Sequence, residues 1–311
     1  MYLRRVKWHT PPLESQGVVY TQVATPIVME DRIRILYAGR INNITHIYSL
    51  ELSPPPSFDI ISFDTKPIFY PNRAMGAFDD EGVMPSCVVK EAEEYYLFYS
   101  GWNSRNTIPY HNATGIAKYD IEKNIVIRMS DGPVMDRNYE HPYLAVTPCI
   151  WKDKNRYNAL YISGLSWKKH NEKYEPLYVI KFATSENLID WQRPVEQFIE
   201  SRYELECFSN PTIKKGIDES FDILFCSRHC FDYRDSAERG YKIGYAKLQN
   251  NQVTRRDVKW VGNMFKGKDD IMQCYPSFFQ WDEKDYVVYN GNGFGATGFG
   301  IAEVMKRGCD E

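Results

Sequence analysis

Short apolar stretches separated by charged turns recur along this chain, and their pattern predicts β-structure throughout. Each copy begins with a proline and a short apolar strand, passes through a charged turn, and continues into a second strand that ends in Gly or Ser. No stretch keeps an apolar period of about 3.6 residues for long, so a helical architecture is not expected. The copies recur roughly every sixty residues, on Pro26, Pro85, Pro148, Pro211 and Pro276.

This repeat predicts the fold class and the domain organisation. A third strand follows in most copies, and fourth strands fit after it. Radial repetition of four-stranded sheets is the β-propeller architecture. We therefore expect residues 1–311 to form one all-β domain, a five-bladed β-propeller with four-stranded blades. Because the last copy stops after its third strand, the N-terminal segment 3–8 is expected to supply the fourth strand and close the last blade.

Composition and charge narrow the class of protein. Hydrophobic residues make up 43% and charged residues 25% of the chain, which is typical of a folded domain with an apolar core. A net charge of −3 provides no positive field for nucleic acid. No apolar stretch is long enough for a signal peptide or a membrane span, and the scattered cysteines suit a reducing compartment. We expect a cytoplasmic protein that binds neither nucleic acid nor membrane, and the oligomeric state stays open.

Strand direction predicts which end of the propeller carries the function. The first two strands of a blade are antiparallel, so the residues before each proline and those after each second strand emerge at one end, called here the mouth. Carboxylates for proton transfer, hydrogen-bonding groups and aromatic rings meet there, which is the mixture that carbohydrate sites use. The predicted catalytic residues are Asp79, Asp80, Glu140 and Glu206. The predicted substrate-binding residues are Arg40, Trp102, Asn103, His141, Trp167, Arg228, His229 and Asn292.

Structural interpretations of the acidic candidates remain open. Asp79 stands in a segment that also fits a turn entering a strand. Glu140 and Glu206 fit rim charges that pair with arginine. Asp269 and Asp270 follow two lysines and fit a solvated loop better than a catalytic site.

Five segments carry a resemblance to a known superfamily. They read FDDEGVMPS at 78–86, GWN at 101–103, AVTPC at 145–149, SENLIDW at 185–191 and YNGNGFG at 289–295. With these segments the whole chain resembles the five-bladed β-propeller glycoside hydrolases, which include arabinanases, β-xylosidases, fructosidases and mannoside phosphorylases. It is most similar to an uncharacterised bacterial branch of predicted glycosidases. The resemblance implies chemistry by two acidic side chains from different blades.

The superfamily's usual catalytic positions are not acidic in this chain. Arabinanase-like enzymes place an Asp directly before the first-blade proline and a Glu two residues before a later one, where this chain has Thr25 and Ser209. We expect a carbohydrate-active enzyme of glycoside-hydrolase type that uses Asp79 or Asp80 with Glu140 or Glu206. The alternatives are a glycoside phosphorylase or glycosyltransferase on this fold, and a non-catalytic sugar-binding propeller.

Cofactor and partner expectations are simple. No metal-ligating pattern is found, so no cofactor is expected to be required. The resemblance leaves room for a structural ion in the central channel. The expected partner is a carbohydrate or glycoconjugate substrate.

Overall fold

The computed structural model describes residues 1–216 and 218–305, and this part of the chain is all-β. Five consecutive units of antiparallel strands follow one another. The first unit contains β2 (Val19–Val28), β3 (Ile33–Ile41), β4 (Ile44–Leu52) and β5 (Ile60–Phe63). The second contains β6 (Gly82–Glu91), β7 (Glu94–Ser104), β8 (Tyr110–Asp120) and β9 (Ile125–Arg128).

The remaining units continue the pattern. The third contains β10 (Ala145–Asp153), β11 (Arg156–His170) and β12 (Lys173–Ser185). The fourth contains β13 (Glu206–Lys215), β14 (Phe221–His229), β15 (Lys242–Gln249) and β16 (Gln252–Arg256). The fifth contains β18 (Cys274–Trp281), β19 (Lys284–Asn290), β20 (Phe299–Met305) and, from the other end of the chain, β1 (Tyr2–His9). Short helical turns lie at Glu14–Gln16 and, as α1, at Asn292–Gly295.

The N-terminal strand lies where the sequence predicted it. β1 pairs antiparallel with β20, from Tyr2 opposite Met305 to His9 opposite Phe299. On its other side β1 pairs in parallel with β17 (Lys259–Val261), which follows the fourth unit. The fifth sheet is therefore assembled from both ends of the described chain.

The expectation of four strands per unit is wrong for the third unit, as far as the described residues go. Its sheet has three strands, and the following segment makes only isolated bridges, from Gln192 to Thr184 and from Gln197 to Lys181. Pro194 lies between those bridges and has no N–H to donate, so a continuous ladder is interrupted there.

The first strands of the units contact one another in a closed cycle. β2 contacts β6, β6 contacts β10, β10 contacts β13, β13 contacts β18, and β18 contacts β2 again. Hydrophobic clusters fill the space between neighbouring units: one cluster includes Ile35 of the first unit and Val288 of the fifth, and another includes Leu160 of the third unit and Ile223 of the fourth. The apolar core thus lies between sheets that follow one another around a centre.

Each second strand places an aromatic side chain in this core near the mouth. These residues are buried and occupy the same position in every unit: Tyr37, Tyr99, Tyr161, Phe225 and Tyr289. In three units the cross-strand partner of the ring is a glycine, namely Gly115, Gly244 or Gly300. A Cβ at Gly115 would lie 2.5 Å from the Tyr99 hydroxyl oxygen, so the missing side chain makes room for the ring.

Every first strand is bulged close to its repeated proline. The register shifts there in all five units. In three units the residue before the proline has a positive φ: 47° at Thr147, 47° at Asn210 and 53° at Tyr275. Such values are uncommon for residues other than glycine and most unusual for a β-branched one. The strands that face the centre are therefore bent at one level, next to the mouth.

No helix within residues 1–216 and 218–305 is long and apolar enough to cross a membrane.

Candidate functional site at the mouth

Half-buried aromatic residues surround the mouth. They come from second strands, third strands, a first-strand bulge and the turn α1: Trp102, Tyr110, Trp167, Tyr178, Tyr275 and Phe294. The rings of Trp167 and Tyr110 meet edge to face, with their centroids 5.2 Å apart. Partly exposed aromatic rings in a concave surface supply the flat apolar faces on which sugar rings pack.

Asp79 lies inside the second unit rather than on its surface. Its carboxylate is fully buried, lies 2.7 Å from Arg128 Nη2, and accepts a hydrogen bond of 3.1 Å from the Tyr99 hydroxyl. Burial raises the pKa of Asp79, against the lowering effect of the Arg128 charge. These contacts fit an ion pair that joins the strands of the unit, and its catalytic role stays a prediction.

Asp269 has the same surroundings in the fifth unit. It is fully buried, lies 2.7 Å from Arg5 Nε, and accepts a hydrogen bond of 2.9 Å from the Tyr289 hydroxyl. The sequence interpretation of Asp269 as part of a solvated loop is therefore wrong, because an arginine of the N-terminal strand covers it. Arg5 in turn stacks on Trp260, with its guanidinium carbon 4.3 Å from the ring centre.

Glu206 is also held by an arginine. It is almost fully buried, and Arg255 reaches both carboxylate oxygens at 2.8 Å. The backbone N–H of Arg202 donates a third hydrogen bond. A carboxylate with both oxygens bound in this way has little capacity left for a substrate.

Asp80 and Glu140 are the predicted catalytic residues whose side chains are at least partly exposed. Asp80 is partly exposed; its Oδ2 accepts a hydrogen bond of 2.8 Å from the backbone of Gly76, and its Oδ1 has no partner among the described residues. Glu140 is exposed, and Asn138 caps its backbone N–H. Glu140 is therefore the exposed acidic candidate, while Asp80 and Asp79 each keep one buried oxygen without a partner among the described residues.

Arg40 and Trp102 form one contact group at the mouth. The guanidinium carbon of Arg40 lies 5.6 Å from the ring centres of both Tyr20 and Trp102, so the cation is placed between two aromatic rings. Asn103, which follows on the same strand, is buried and donates a hydrogen bond of 2.9 Å to the carbonyl of Ala77. The structure therefore brings Arg40 and Trp102 together, while Asn103 secures a neighbouring loop.

His141 is buried in the third unit. Its Nε2 lies 2.8 Å from the carbonyl oxygen of Arg193, and its Nδ1 lies 3.2 Å from Lys181 Nζ. Since a carbonyl only accepts, Nε2 carries the proton and Nδ1 accepts from the lysine. Burial lowers the pKa of His141, in agreement with a neutral ring.

Two further predicted binding residues, His229 and Asn292, have local partners. His229 accepts a hydrogen bond of 3.1 Å at Nδ1 from the backbone of Phe231, and its ring stacks on Tyr203. Asn292 accepts hydrogen bonds from the backbones of Ile271 and Met272 at 2.9 and 3.0 Å. Both side chains shape loops at the mouth, and Asn292 is buried while doing so.

Arg228 lies at the centre of a cluster of tyrosines. It is 2% exposed, and its side chain donates hydrogen bonds to the hydroxyls of Tyr178 and Tyr241 at 3.0 and 3.1 Å. The ring of Tyr233 packs against this group, with its centre 3.6 Å from the guanidinium carbon. We call Arg228, Tyr178, Tyr233 and Tyr241 the arginine cage.

The tyrosines of the cage were missed by the sequence interpretation. Tyr178 lies within the third strand β12 and Tyr241 directly precedes the third strand β15, whereas only the residues before the prolines and after the second strands were considered. The antiparallel rule was sufficient to find them, because a third strand starts at the end where the second strand finishes.

A cavity of about 660 Å³ lies elsewhere, at the seam between the first and fifth units. Trp281, Lys284 and Tyr286 line it together with the prolines that follow β4, at the end opposite the mouth. None of the predicted site residues lines this cavity.

The described residues include no group of three or more His, Cys, Asp or Glu side chains that could hold a metal ion. The expectation of an ion in the channel therefore stays a prediction.

Comparison with known proteins shows which folds this chain resembles. No family model matches the chain. Uncharacterized protein MT1551 and Uncharacterized protein Rv1502, both from Mycobacterium tuberculosis, are 26% identical to it over 276 residues, which is 88% of this chain and of each relative.

Solved structures are similar over nearly the whole chain. The BT0996 complex with RGII gives a TM-score of 0.69 at 14% identity and covers 98% of this chain and 92% of that one. A glycosyl hydrolase from Bacteroides ovatus gives a TM-score of 0.69 at 14% identity, with 96% and 93% covered. A further glycoside hydrolase gives 0.67 at 14% identity, with 99% and 92% covered. The chain therefore has the all-β fold of propeller-type glycoside hydrolases.

Proposed function

We propose that the chain is a single five-bladed β-propeller in which each unit is one blade. The closed cycle of contacts between the first strands supports this count, since β18 contacts β2 as well as β13. The repeated core aromatic in all five second strands supports it too. On this proposal β1 closes the ring by completing the last blade.

We further propose that the protein is a carbohydrate-active enzyme of glycoside-hydrolase type that works at the mouth. The ring of half-buried aromatic residues there carries the proposal, because sugar recognition needs partly exposed ring faces beside hydrogen-bonding groups. The similarity of the fold to those of solved glycoside hydrolases supports the proposed function by analogy. Of the acidic candidates, Asp80 and Glu140 are assigned to proton transfer, since Glu140 is exposed and Asp80 is partly exposed and has no arginine partner among the described residues.

The test is release of 4-nitrophenol from a panel of aryl glycosides. Asp80→Asn and Glu140→Gln are each expected to lower kcat by about 100-fold or more, because a positioned acid or base contributes that much. Their free energies of unfolding should stay within about 0.5 kcal/mol of the parent, as expected for accessible side chains. Asp153→Asn, at an exposed turn of the opposite end, is the control.

Either assignment is abandoned if its variant keeps full activity. Absence of turnover across the panel removes the proposal of hydrolysis itself. Phosphorolysis or glycosyl transfer then remains, favoured by the partly exposed cation of Arg40 between Tyr20 and Trp102. That activity would depend on added phosphate or a sugar nucleotide and would be lost in Arg40→Met.

A non-catalytic sugar-binding propeller is the second candidate function. The observation in its favour is that Thr25 and Ser209 occupy the superfamily's catalytic positions, and both are buried. Calorimetric binding of a glycan without turnover would establish it.

A further inference from the structure

The arginine cage holds a buried cation that is surrounded by neutral oxygens. Arg228 donates from Nε to Tyr241, from Nη1 to the carbonyls of His229 and Cys230, and from Nη2 to Tyr178 and the carbonyl of Pro176. These contacts occupy its full set of five N–H donors. Within the described chain no carboxylate touches it. The guanidinium is therefore satisfied in hydrogen bonds but not in charge.

The nearest acidic group already has a cation of its own. Glu175 forms an ion pair with Arg234 and also accepts a hydrogen bond of 3.0 Å from the Tyr233 hydroxyl. Glu175 and Arg234 cancel, so the charge of Arg228 is left over. A buried charge without a counter-charge is costly, which makes a ligand that supplies one a reasonable expectation.

A thiol is the internal alternative to such a ligand. Cys207 and Cys230 both approach the carbonyl of Pro176 beside Arg228. A hydrogen bond from Cys230, followed by the charge of Arg228 against the effect of burial, lowers the pKa of Cys207. The Cys207 thiolate and a ligand anion would compete for the same cation.

The hydrogen bonds within the arginine cage determine which hydroxyl proton is left without an acceptor. Tyr178 and Tyr241 each accept from Arg228, and their hydroxyl oxygens lie 2.7 Å apart. Burial raises the pKa of both, so both are protonated at neutral pH. No described group other than Tyr178 accepts the proton of Tyr241, which is 2% exposed. Tyr241 therefore donates to Tyr178, and no described group accepts the proton of Tyr178, whose side chain is partly exposed.

Aromatic rings of the mouth adjoin this donor. Tyr241 lies against Tyr275 and Phe294, with ring centres 5.8 and 6.1 Å apart. Both neighbours are partly exposed. A sugar ring packed on them would have its polar substituents close to Tyr178.

We propose that the ligand of the mouth is an anionic sugar, whose carboxylate or phosphate accepts from Tyr178 and balances the charge of Arg228. This inference rests on the proposed carbohydrate function and adds the class of substrate. Arg228 and Tyr241 are positioning residues in it, and Tyr178 makes the contact. A hydrogen bond to a charged acceptor is strong enough to discriminate between an acidic sugar and its neutral counterpart.

Calorimetric titration with matched sugars tests the proposal. The probes are D-glucuronate and D-glucose 6-phosphate, each compared with D-glucose at constant ionic strength. We expect at least one acidic sugar to bind roughly tenfold or more tightly than D-glucose. Tyr178→Phe keeps the ring and removes the hydroxyl, so it should reduce this preference by roughly fivefold to tenfold. The acidic probe that binds identifies carboxylate or phosphate as the group.

Two control variants distinguish a specific role of the arginine cage from the effect of removing any buried polar group. Tyr161→Phe removes another buried hydroxyl of the same unit as Tyr178, one that does not contact the arginine cage, and should leave the preference unchanged. Cys207→Ala removes the internal competitor, so the preference should stay or increase. The proposal is overturned if neither acidic sugar binds more tightly than D-glucose, or if Tyr178→Phe retains the full preference. Preference without turnover of any aryl glycoside would instead remove only the proposed hydrolysis.

Discussion

The second and fifth units bind their second-strand tyrosine in the same way, whereas the third unit does so differently. Asp79 with Arg128 and Tyr99 repeats as Asp269 with Arg5 and Tyr289, and a glycine faces the ring in both. We call each of these arrangements an Asp–Arg–Tyr clasp. In the third unit Lys181 stands opposite Tyr161 in place of the glycine, and His141 is its hydrogen-bonded neighbour.

Comparison of the two units distinguishes carboxylates that hold strands together from carboxylates that are at least partly exposed. Asp79 and Asp269 look unrelated in the sequence, yet each pairs with an arginine and a tyrosine. The arginine partner of Asp269 is Arg5, which lies far from it in the chain. The shared arrangement therefore reflects how a blade holds its outer strand, since Arg128 and Arg5 both come from the fourth strands of their units. An acid in this position is explained without catalysis, which directs attention to Asp80 and Glu140.

Removal of one clasp carboxylate should have the largest effect. Asp79→Ala leaves Arg128 largely buried without its partner, and we expect a loss of about 3 to 5 kcal/mol in the free energy of unfolding. Asp269→Ala should give a loss of similar size because its contacts match. Denaturant titration followed by tryptophan fluorescence measures both.

The neighbouring Asp80→Asn is the control for that prediction, because its side chain is partly exposed. A stable Asp79→Ala variant that has lost activity would return Asp79 to a catalytic role and break the comparison between the two units.

The sequence predicted the repeat well and the side-chain partners poorly. Apolar strands, prolines and turns are local signals, and they predicted all five units and the place of β1 beside β20. The clasp joins Asp269 to Arg5, residues far apart in the chain, and no local pattern indicates such a pair. The three-stranded sheet of the third unit was also unpredicted, because the interruption depends on where Pro194 falls relative to its partner strand.

The candidate site shows the same limit. Strand direction predicted a set of residues at the mouth, but it gave no indication of which of them are buried by contacts of their own. Arg228 was selected as a binding residue, yet its donors are taken up by the cage. Burial of a polar group depends on contacts between units, and these are set by the folded ring rather than by the strand pattern.

Addition of a methyl group at Gly115, opposite the tyrosine of the second-unit clasp, should have a moderate effect on stability. Gly115→Ala places a Cβ 2.5 Å from the Tyr99 hydroxyl oxygen, so the ring must shift away from Asp79. Overpacking of this kind costs about 1 to 3 kcal/mol of unfolding free energy. Gly132→Ala, whose Cβ would have its nearest neighbour at 3.8 Å, should change stability by less than about 0.5 kcal/mol. Equal effects of the two substitutions in denaturant titration would contradict the packing role of Gly115.

Replacement of the lysine in the third unit should have the smallest effect and the opposite sign. Burial lowers the pKa of Lys181, against the raising effect of the charges of Glu196 and Glu140, neither of which forms an ion pair with it. Lys181→Met keeps the length and removes the buried charge, so we expect a gain of about 1 kcal/mol at pH 7.

The lowered pKa of Lys181 also predicts how the stability difference between Lys181→Met and the parent changes with pH. The unfolded lysine holds its proton up to a pKa of about 10.4, whereas the folded one releases it at lower pH. Between the two pKa values the unfolded state binds more protons, so the parent gains stability as pH rises through the lowered pKa of Lys181. The advantage of Lys181→Met over the parent should therefore shrink from pH 7 to pH 9.5. Denaturant titrations at both pH values measure this difference, and a constant or growing advantage would show that Lys181 is not destabilised by its charge.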